Sequence, residues 1–254
     1  MDKEVYLKAE MISKSFSNGG VQQHILKNLD IELYKGDFTI IMGSSGAGKS
    51  TLLYTLSGLD KPSLGKIYFA GEEISEYSND RLALFRRKHC GFVFQQIYLN
   101  DSMSLLDNIL MSGYLVNKNR KQVVKKAKKL LQEVGLKEED YGKFVTQLSG
   151  GEAQRGGIVR ALINEPEIVF ADEPTGALNS TNAKRILDIM TETNKNGQTV
   201  LMTTHDIKTA LRGNRILYLK DGIIVNEINL GRFTSNDDKE RLDKLKSFLE
   251  DMGW

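Results

Sequence analysis

The sequence predicts an α/β fold: a core of buried strands and helices, an antiparallel β subdomain that precedes or flanks it, and an inserted α-helical subdomain. Three observations carry this. Apolar runs at 38–42, 168–171 and 199–202 read as buried strands, and each leads into glycines or polar side chains. Residues 5–11 and 31–34 alternate apolar and polar side chains as half-exposed strands do. From about Asn108 to Leu136 the apolar period lengthens to that of helices. No internal repeat or low-complexity linker interrupts the chain. The insert is therefore a subdomain of a single domain over 1–254. The core and β subdomain take up about 1–90 and 164–234, the helical subdomain 91–163, and a C-terminal helix 235–254.

The two N-terminal strand segments are joined through Ser17-Asn18-Gly19-Gly20, a turn signal. Phe16, just before it, has two readings: ordinary core packing, or an aromatic face for a flat ring to stack on. The strand Phe38-Thr39-Ile40-Ile41-Met42 runs into Gly43-Ser44-Ser45-Gly46-Ala47-Gly48-Lys49-Ser50-Thr51, and a helical pattern opens at Leu52. Strand, glycine loop and helix are the context that the G-x-x-x-x-G-K-[ST] phosphate loop requires. The glycines let successive N–H groups converge on one anion, the helix start adds its partial positive charge, and Lys49 adds a mobile full one. The Ser50 hydroxyl is a hard oxygen of the kind Mg²⁺ prefers. The stretch implies a bound nucleoside triphosphate.

Lys66–Gly71 reads as a strand closed by a turn, and Gly91-Phe92-Val93-Phe94-Gln95-Gln96 as a short buried strand that ends in an amide. In the helical insert Val123, Val124, Ala127, Leu130, Leu131 and Val134 share one face. Lys121, Lys125, Lys126, Lys128 and Lys129 crowd the others, either as a solvated face or as a surface near anionic lipid. Leu148-Ser149-Gly150-Gly151-Glu152 then places two glycines at a helix start, which is an anion site or an ordinary helix cap. Ile168-Val169-Phe170-Ala171 delivers Asp172 and Glu173 to a strand end, where α/β sheets build their sites. There Asp172 suits a Mg²⁺ ion and Glu173 suits orienting or deprotonating an attacking water. The run from Thr199 delivers His205 in the same way, as a sensor of a terminal phosphate. His24 and His89 lack such placement, and Cys90 reads as a core residue.

Ile216–Val225 reads as a hairpin with an Asp-Gly turn. The tail carries Leu242, Leu245, Leu249 and Met252 as one apolar stripe, which caps its own domain or docks on a partner.

Composition sets the bounds. A net charge of +2 gives no global electrostatic case for nucleic acid or acidic membrane. One cysteine precludes an intrachain disulfide and fits a reducing cytosol. The polar opening Met1-Asp2-Lys3-Glu4 and the lack of a run of roughly 18 apolar residues argue against a signal peptide and a membrane span. Any work at a membrane would need another chain to cross it.

Taken together, these residues resemble the ATP-binding subunit of ABC transporters along nearly the whole chain. The phosphate loop at 43–51, Gln95, Leu-Ser-Gly-Gly-Glu at 148–152, Asp172-Glu173 and His205 occur in the family's order. Ser57-Gly58-Leu59-Asp60, Gly91–Gln96 and Phe170–Leu178 narrow the likeness to the group serving MacB-type permeases, which covers lipoprotein release, macrolide or peptide export and bacitracin resistance. The resemblance implies a P-loop NTPase core with a mixed sheet, the ABC ATPase fold, hydrolysing ATP with Mg²⁺. It implies that Phe16 stacks on adenine, that Gly43 to Thr51 hold the phosphates, and that Ser50, Gln95 and Asp172 serve the metal. Glu173, His205 and Gln95 would be catalytic. Two subunits would pack head to tail, with Ser149, Gly150, Gly151 and Glu152 acting in trans on the ATP of the other.

By the same resemblance, the homodimer would sit on the inner face of a bacterial cell membrane, held by a MacB-type permease. It would drive export or release of an antimicrobial peptide, an antibiotic or a lipid-linked substrate. A sensor kinase is a further possible member of the complex, and direct contact with nucleic acid is not expected. The alternative is a mechanotransmission or cell-division ATPase whose permease-like partner moves no cargo. A soluble family member acting on ribosomes or DNA fits less well, because the chain has one phosphate loop, one cysteine and no long heptad run. Two departures stand out: Asn179 replaces the usual aspartate after Gly176-Ala177-Leu178, and Ala153 and Gly156-Gly157 replace commoner helix formers.

Overall fold

The computed structural model describes residues 3–234 and 238–254. Met1, Asp2 and the start of the predicted C-terminal helix, 235–237, lie outside the described residues. The chain opens with β1 (Val5–Asn18), β2 (Val21–Tyr34), β3 (Phe38–Met42), α1 (Lys49–Leu56), β4 (Leu64–Phe69), β5 (Glu72–Glu73) and α2 (Asn79–His89). It continues through β6 (Cys90–Phe94), α3 (Leu105–Tyr114), α4 (Arg120–Glu133), α5 (Gly150–Leu162), β7 (Ile168–Asp172) and α6 (Ser180–Lys195). The last elements are β8 (Thr199–Thr204), α7 (Ile207–Ala210), β9 (Arg215–Lys220), β10 (Ile223–Asn229) and α8 (Asp238–Asp251). Two compact units result: Met1–Ala83 with Asn194–Trp254, and Leu84–Thr193.

The first unit holds an antiparallel sheet in the order β2-β1-β4-β5, the predicted β subdomain. Its two long strands are each 14 residues, and one of the register shifts between them, from Ala9 to Ile12, spans the left-handed Met11 (φ 51°). The same unit holds the order β10-β9-β3-β8, in which β9, β3 and β8 are parallel and β10 returns antiparallel. This is the mixed sheet. Every residue of β3 and of β8 is buried, which explains why both read as continuous apolar runs rather than alternating ones. The β9–β10 turn is Asp221-Gly222 with φ of 50° and 82°, as the predicted hairpin requires.

The second unit carries the parallel pair β6–β7 and the helices. Its core is built from Leu105, Ile109, Val123, Ala127, Leu131, Val159 and their neighbours, so the helical stripe read from sequence is the face that packs. On the outer side Lys126, Lys128 and Lys129 pair with Glu165 (2.7 Å), Glu138 (3.1 Å) and Glu133 (3.6 Å), as a solvated face does. Gly156 has a packing reason: a Cβ there would lie 2.3 Å from Leu105 Cδ1, so α5 and α3 approach as closely as they do only without it. Among the described residues no helix is long and apolar enough to cross a membrane.

Candidate nucleotide site

The sequence-predicted residues fall into two sets, one in each unit. In the first unit β3 and β8 are parallel with Met42 level with Thr204, so the phosphate loop and His205 leave the sheet at the same edge. Gly48 stands at the start of α1 with φ of 101°, a left-handed conformation that an L side chain rarely adopts. No side-chain hydrogen bond caps α1 at Gly48, and a helix start of this kind carries the partial positive charge that suits an anion. Lys49 is 6% exposed, and its Nζ donates to the carbonyls of Gly43 and Ser44, each at 3.0 Å. The ammonium thus closes the loop into a ring whose rim, Ser44, Ser45, Gly46 and Ser50, is exposed. Thr51 is half-buried and Ala47 buried, and the loop closes through Ala47 N–H to Ser44 O (3.2 Å).

Phe16 is 46% exposed rather than in the core, and Lys14 Nζ stands 5.0 Å from its ring centroid. An open aromatic face with a cation nearby suits a flat, electron-rich ring. His205 is exposed, and Asp206 beside it caps α7, accepting from Thr209 N–H (2.7 Å) and the Thr209 hydroxyl (2.8 Å). His24 meets Ser15 Oγ at 2.7 Å, and His89 stacks on Phe85 and pairs with Glu167. Neither approaches the loop edge by any of these contacts. Burial raises the pKa of the Cys90 thiol, which removes it as a nucleophile.

In the second unit β6 and β7 are parallel with Phe94 level with Asp172, so Gln95 and the carboxylate pair emerge side by side. Asp172 is 8% exposed, and Glu173 holds a left-handed φ of 43°, a strained conformation for a side chain of this kind. A Cβ on Gly176 would lie 2.9 Å from Gln95 Nε2, so the amide lies over the loop that follows Glu173.

A residue missed in the sequence locks this arrangement. Gln154, 2% exposed, donates from Nε2 to Phe94 O (3.0 Å) and Pro174 O (2.9 Å), tying the two strand ends to α5. Its only sequence signal is an amide on the buried face of a glycine-rich helix. Arg160 and Asn108 were also silent. Arg160 donates to Ile97 O (3.0 Å) and Tyr98 O (2.5 Å), and Asn108 brackets Asn100, accepting from its N–H (2.7 Å) and donating to its carbonyl (3.1 Å).

At the start of α5, Ser149 and Glu152 form a reciprocal capping box. Ser149 Oγ accepts from Glu152 N–H (3.3 Å), and Glu152 Oε2 accepts from Ser149 N–H and its hydroxyl, both at 2.8 Å. The Ser149 N–H, seconded by its hydroxyl, holds the Glu152 carboxyl below its usual range. Gly151 packs against Asn182: a Cβ would fall 2.5 Å from Asn182 Cγ. Asn179 caps α6, its Oδ1 accepting from Asn182 N–H (2.9 Å), a role that aspartate fills equally well.

Among the described residues no group of three or more His, Cys, Asp or Glu could hold a metal by itself. The Ser50 hydroxyl in the first unit, and the Asp172 carboxylate and Gln95 amide in the second, are each oxygen donors of the hard type that Mg²⁺ takes.

A family profile described as ABC transporter matches residues 26–176. The chain is 42% identical over 223 residues to the lipoprotein-releasing system ATP-binding protein LolD of Aquifex aeolicus, covering 87% of this chain and 97% of that one. It is 41% identical over 226 residues to the bacitracin export ATP-binding protein BceA of Halalkalibacterium halodurans, covering 89% of each. Among solved structures it is similar to the dimeric ATP-binding cassette MJ0796 in a post-hydrolysis state bound to ADP and Pi, with a TM-score of 0.82 and 36% identity over 89% of this chain and all of that one. The fold, the ordered motifs and these matches agree: the chain belongs to the ABC transporter family as an ATP-binding subunit, an ATPase that uses ATP with Mg²⁺.

Proposed function

We propose that this subunit powers a membrane exporter, closing as a homodimer on ATP and opening after hydrolysis to move a MacB-type permease. In this reading Phe16 stacks on adenine, and the backbone N–H groups from Gly43 to Thr51 with Lys49 bind the phosphates. Ser50, Asp172 and Gln95 hold Mg²⁺, Glu173 prepares the attacking water, and His205 reads the terminal phosphate. Ser149, Gly150 and Gly151 of one subunit face the γ-phosphate bound by the other, with Glu152 joining them through the cap that fixes Ser149. The γ-phosphate then supplies the contact that differs between closed and open dimers.

The observation that carries the reading is the start of α1 without a side-chain cap, behind a glycine loop that Lys49 closes through the carbonyls of Gly43 and Ser44. The likeness to proteins named for lipoprotein release and bacitracin export supports a cargo that is a lipid-linked molecule, an antibiotic or an antimicrobial peptide. It also supports a place on the inner face of the cell membrane, held there by the permease. The helical subdomain 91–163 is the part we assign to presenting the signature motif to the second subunit.

A mild-detergent pulldown of the tagged chain from its native cells tests this. Recovery of a large permease with an extracellular domain is the expected result, and a sensor kinase in the same eluate would extend the complex. Ribosomal proteins or nucleic acid in place of a membrane protein would overturn it.

A further inference from the structure

α8 carries a buried arginine in a place where a surface helix has no need of one. Arg241 is 3% exposed, and its guanidinium donates to backbone carbonyls. Nε donates to Leu211 O (2.7 Å), Nη1 to Leu230 O (2.7 Å), and Nη2 to Gly231 O (3.0 Å) and to Gly213 O. Those carbonyls belong to two segments, the exit of α7 and the stretch after β10. The ring of Phe233 is shared by the same group: Arg212 lies 4.6 Å and Arg241 5.7 Å from its centroid.

The α7 segment starts at His205. Asp206 caps α7 through two bonds to Thr209, Leu211 closes the single turn, and Gly213 follows. Asn214 is fixed to β3, donating from its N–H to Phe38 O (2.9 Å) and accepting from Phe38 N–H. Between Thr204, whose Oγ1 accepts from Asp206 N–H (3.0 Å), and Asn214, Arg241 holds the far end of the connection through Leu211 O and Gly213 O. The rest of α8 is seated independently: Leu245 and Leu249 are buried, Trp254 meets Tyr218 edge-on at 6.1 Å, and Tyr218 lies level with Met42 at the mouth of the phosphate loop. The 14 residues of α8 span about 20 Å, long enough to anchor at one loop and reach the other.

We propose that α8 is an internal brace and Arg241 a positioning residue that sets the conformation of the His205 loop. A guanidinium offers five donors in a rigid fork, and here it joins carbonyls just past α7 to carbonyls just past β10. The proposal rests on the reading of His205 as a phosphate sensor.

The test measures ATPase turnover, nucleotide affinity and thermal melting on the full chain carrying Arg241→Ala, Arg241→Lys, His205→Ala and the double variant. A shift of the loop by an ångström or less should cost Arg241→Ala about tenfold in kcat, with nucleotide Kd changed less than about twofold. Arg241→Lys, which keeps the charge but not the fork, should fall between. In the His205→Ala background the Arg241→Ala change should add nothing, because it acts through the missing side chain. Wild-type kcat in Arg241→Ala, or in Arg241→Lys where the alanine variant does not fold, would overturn the brace. So would an equal loss in the presence and absence of His205, or kcat and Kd worsening together. Full turnover in His205→Ala would overturn the sensor reading and the brace with it, a result distinct from a silent Arg241 beside a crippled His205→Ala.

Discussion

Lys49 shows how a single residue closes the glycine loop. Its ammonium is nearly buried and would be costly there without partners, and it finds them in the carbonyls of Gly43 and Ser44. A bound phosphate offers it a full negative charge instead, a charge-assisted bond worth roughly 1.5–3 kcal/mol. Lys49→Ala should therefore weaken ATP binding by about 10- to 150-fold, measured by titration calorimetry or a fluorescent nucleotide. Unchanged affinity would contradict the phosphate-loop assignment. Glu173 adds the complementary observation: a left-handed φ on a glutamate at a strand end is strain placed where chemistry is expected.

Of these residues the sequence showed those whose neighbours announce them. Lys49 stands in a glycine loop and Glu173 behind a buried strand. Gln154, which pins both strand ends of its unit, could not be found that way. Its partners are main-chain carbonyls twenty and sixty residues away, and no local pattern encodes a long-range bond to a backbone.

At the scale of elements, α5 is where local propensity and packing disagree. Glycine in a helix interior costs roughly 1 kcal/mol against alanine. At Gly156 a Cβ would overlap Leu105, which is fully buried and has nowhere to go. Overpacking of that kind costs typically about 1–3 kcal/mol, so the clash outweighs the propensity gain. Gly156→Ala should lower stability in urea unfolding, and the same change in a Leu105→Ala background should cost less. A stabilised Gly156→Ala would show that α3 and α5 are not in close contact. The sequence flagged the glycine pair as unusual, and only the facing helix supplies the reason.

The capping box at the start of α5 makes a second element-scale prediction. Ser149→Ala removes the two bonds of the hydroxyl, leaving the Ser149 N–H bond to Glu152, and should cost about 1 kcal/mol. Because the folded state depresses the Glu152 pKa, its contribution is present in full above the unfolded value near 4.3 and is lost as pH falls through the folded value. The stability gap between the wild type and Glu152→Ala should therefore narrow below about pH 4 in urea titrations. A gap unchanged down to pH 3 would mean that the carboxylate form does not matter to the cap. The motif's glycines and serine were legible as an anion site or a cap. The structure shows the cap formed, and the phosphate role is the one we propose on top of it.

For the whole molecule, the buried strands, the helical insert and the hairpin were readable because buried strands and amphipathic helices leave different periods in the sequence, whereas the strand order came only from the structure. The seating of α8 was only half readable. Its stripe was expected through Leu242, Leu245, Leu249 and Met252, whereas the buried side runs through Arg241, Leu245, Phe248 and Leu249. A buried arginine defeats a hydrophobic pattern, since its burial is made good by carbonyls that hydropathy does not count.

The account as a whole stands on the claim that two copies of this chain close around shared ATP. The most direct measurement is the mass of Glu173→Gln by size-exclusion with light scattering, with ATP and Mg²⁺ and without. The carboxamide keeps the size of the side chain but cannot take the proton from water, so ATP should bind and persist. The account predicts a dimer of about 57 kDa with ATP, twice the 28.5 kDa chain, and a monomer without it. A chain that binds ATP and yet remains monomeric at every concentration would contradict the shared site.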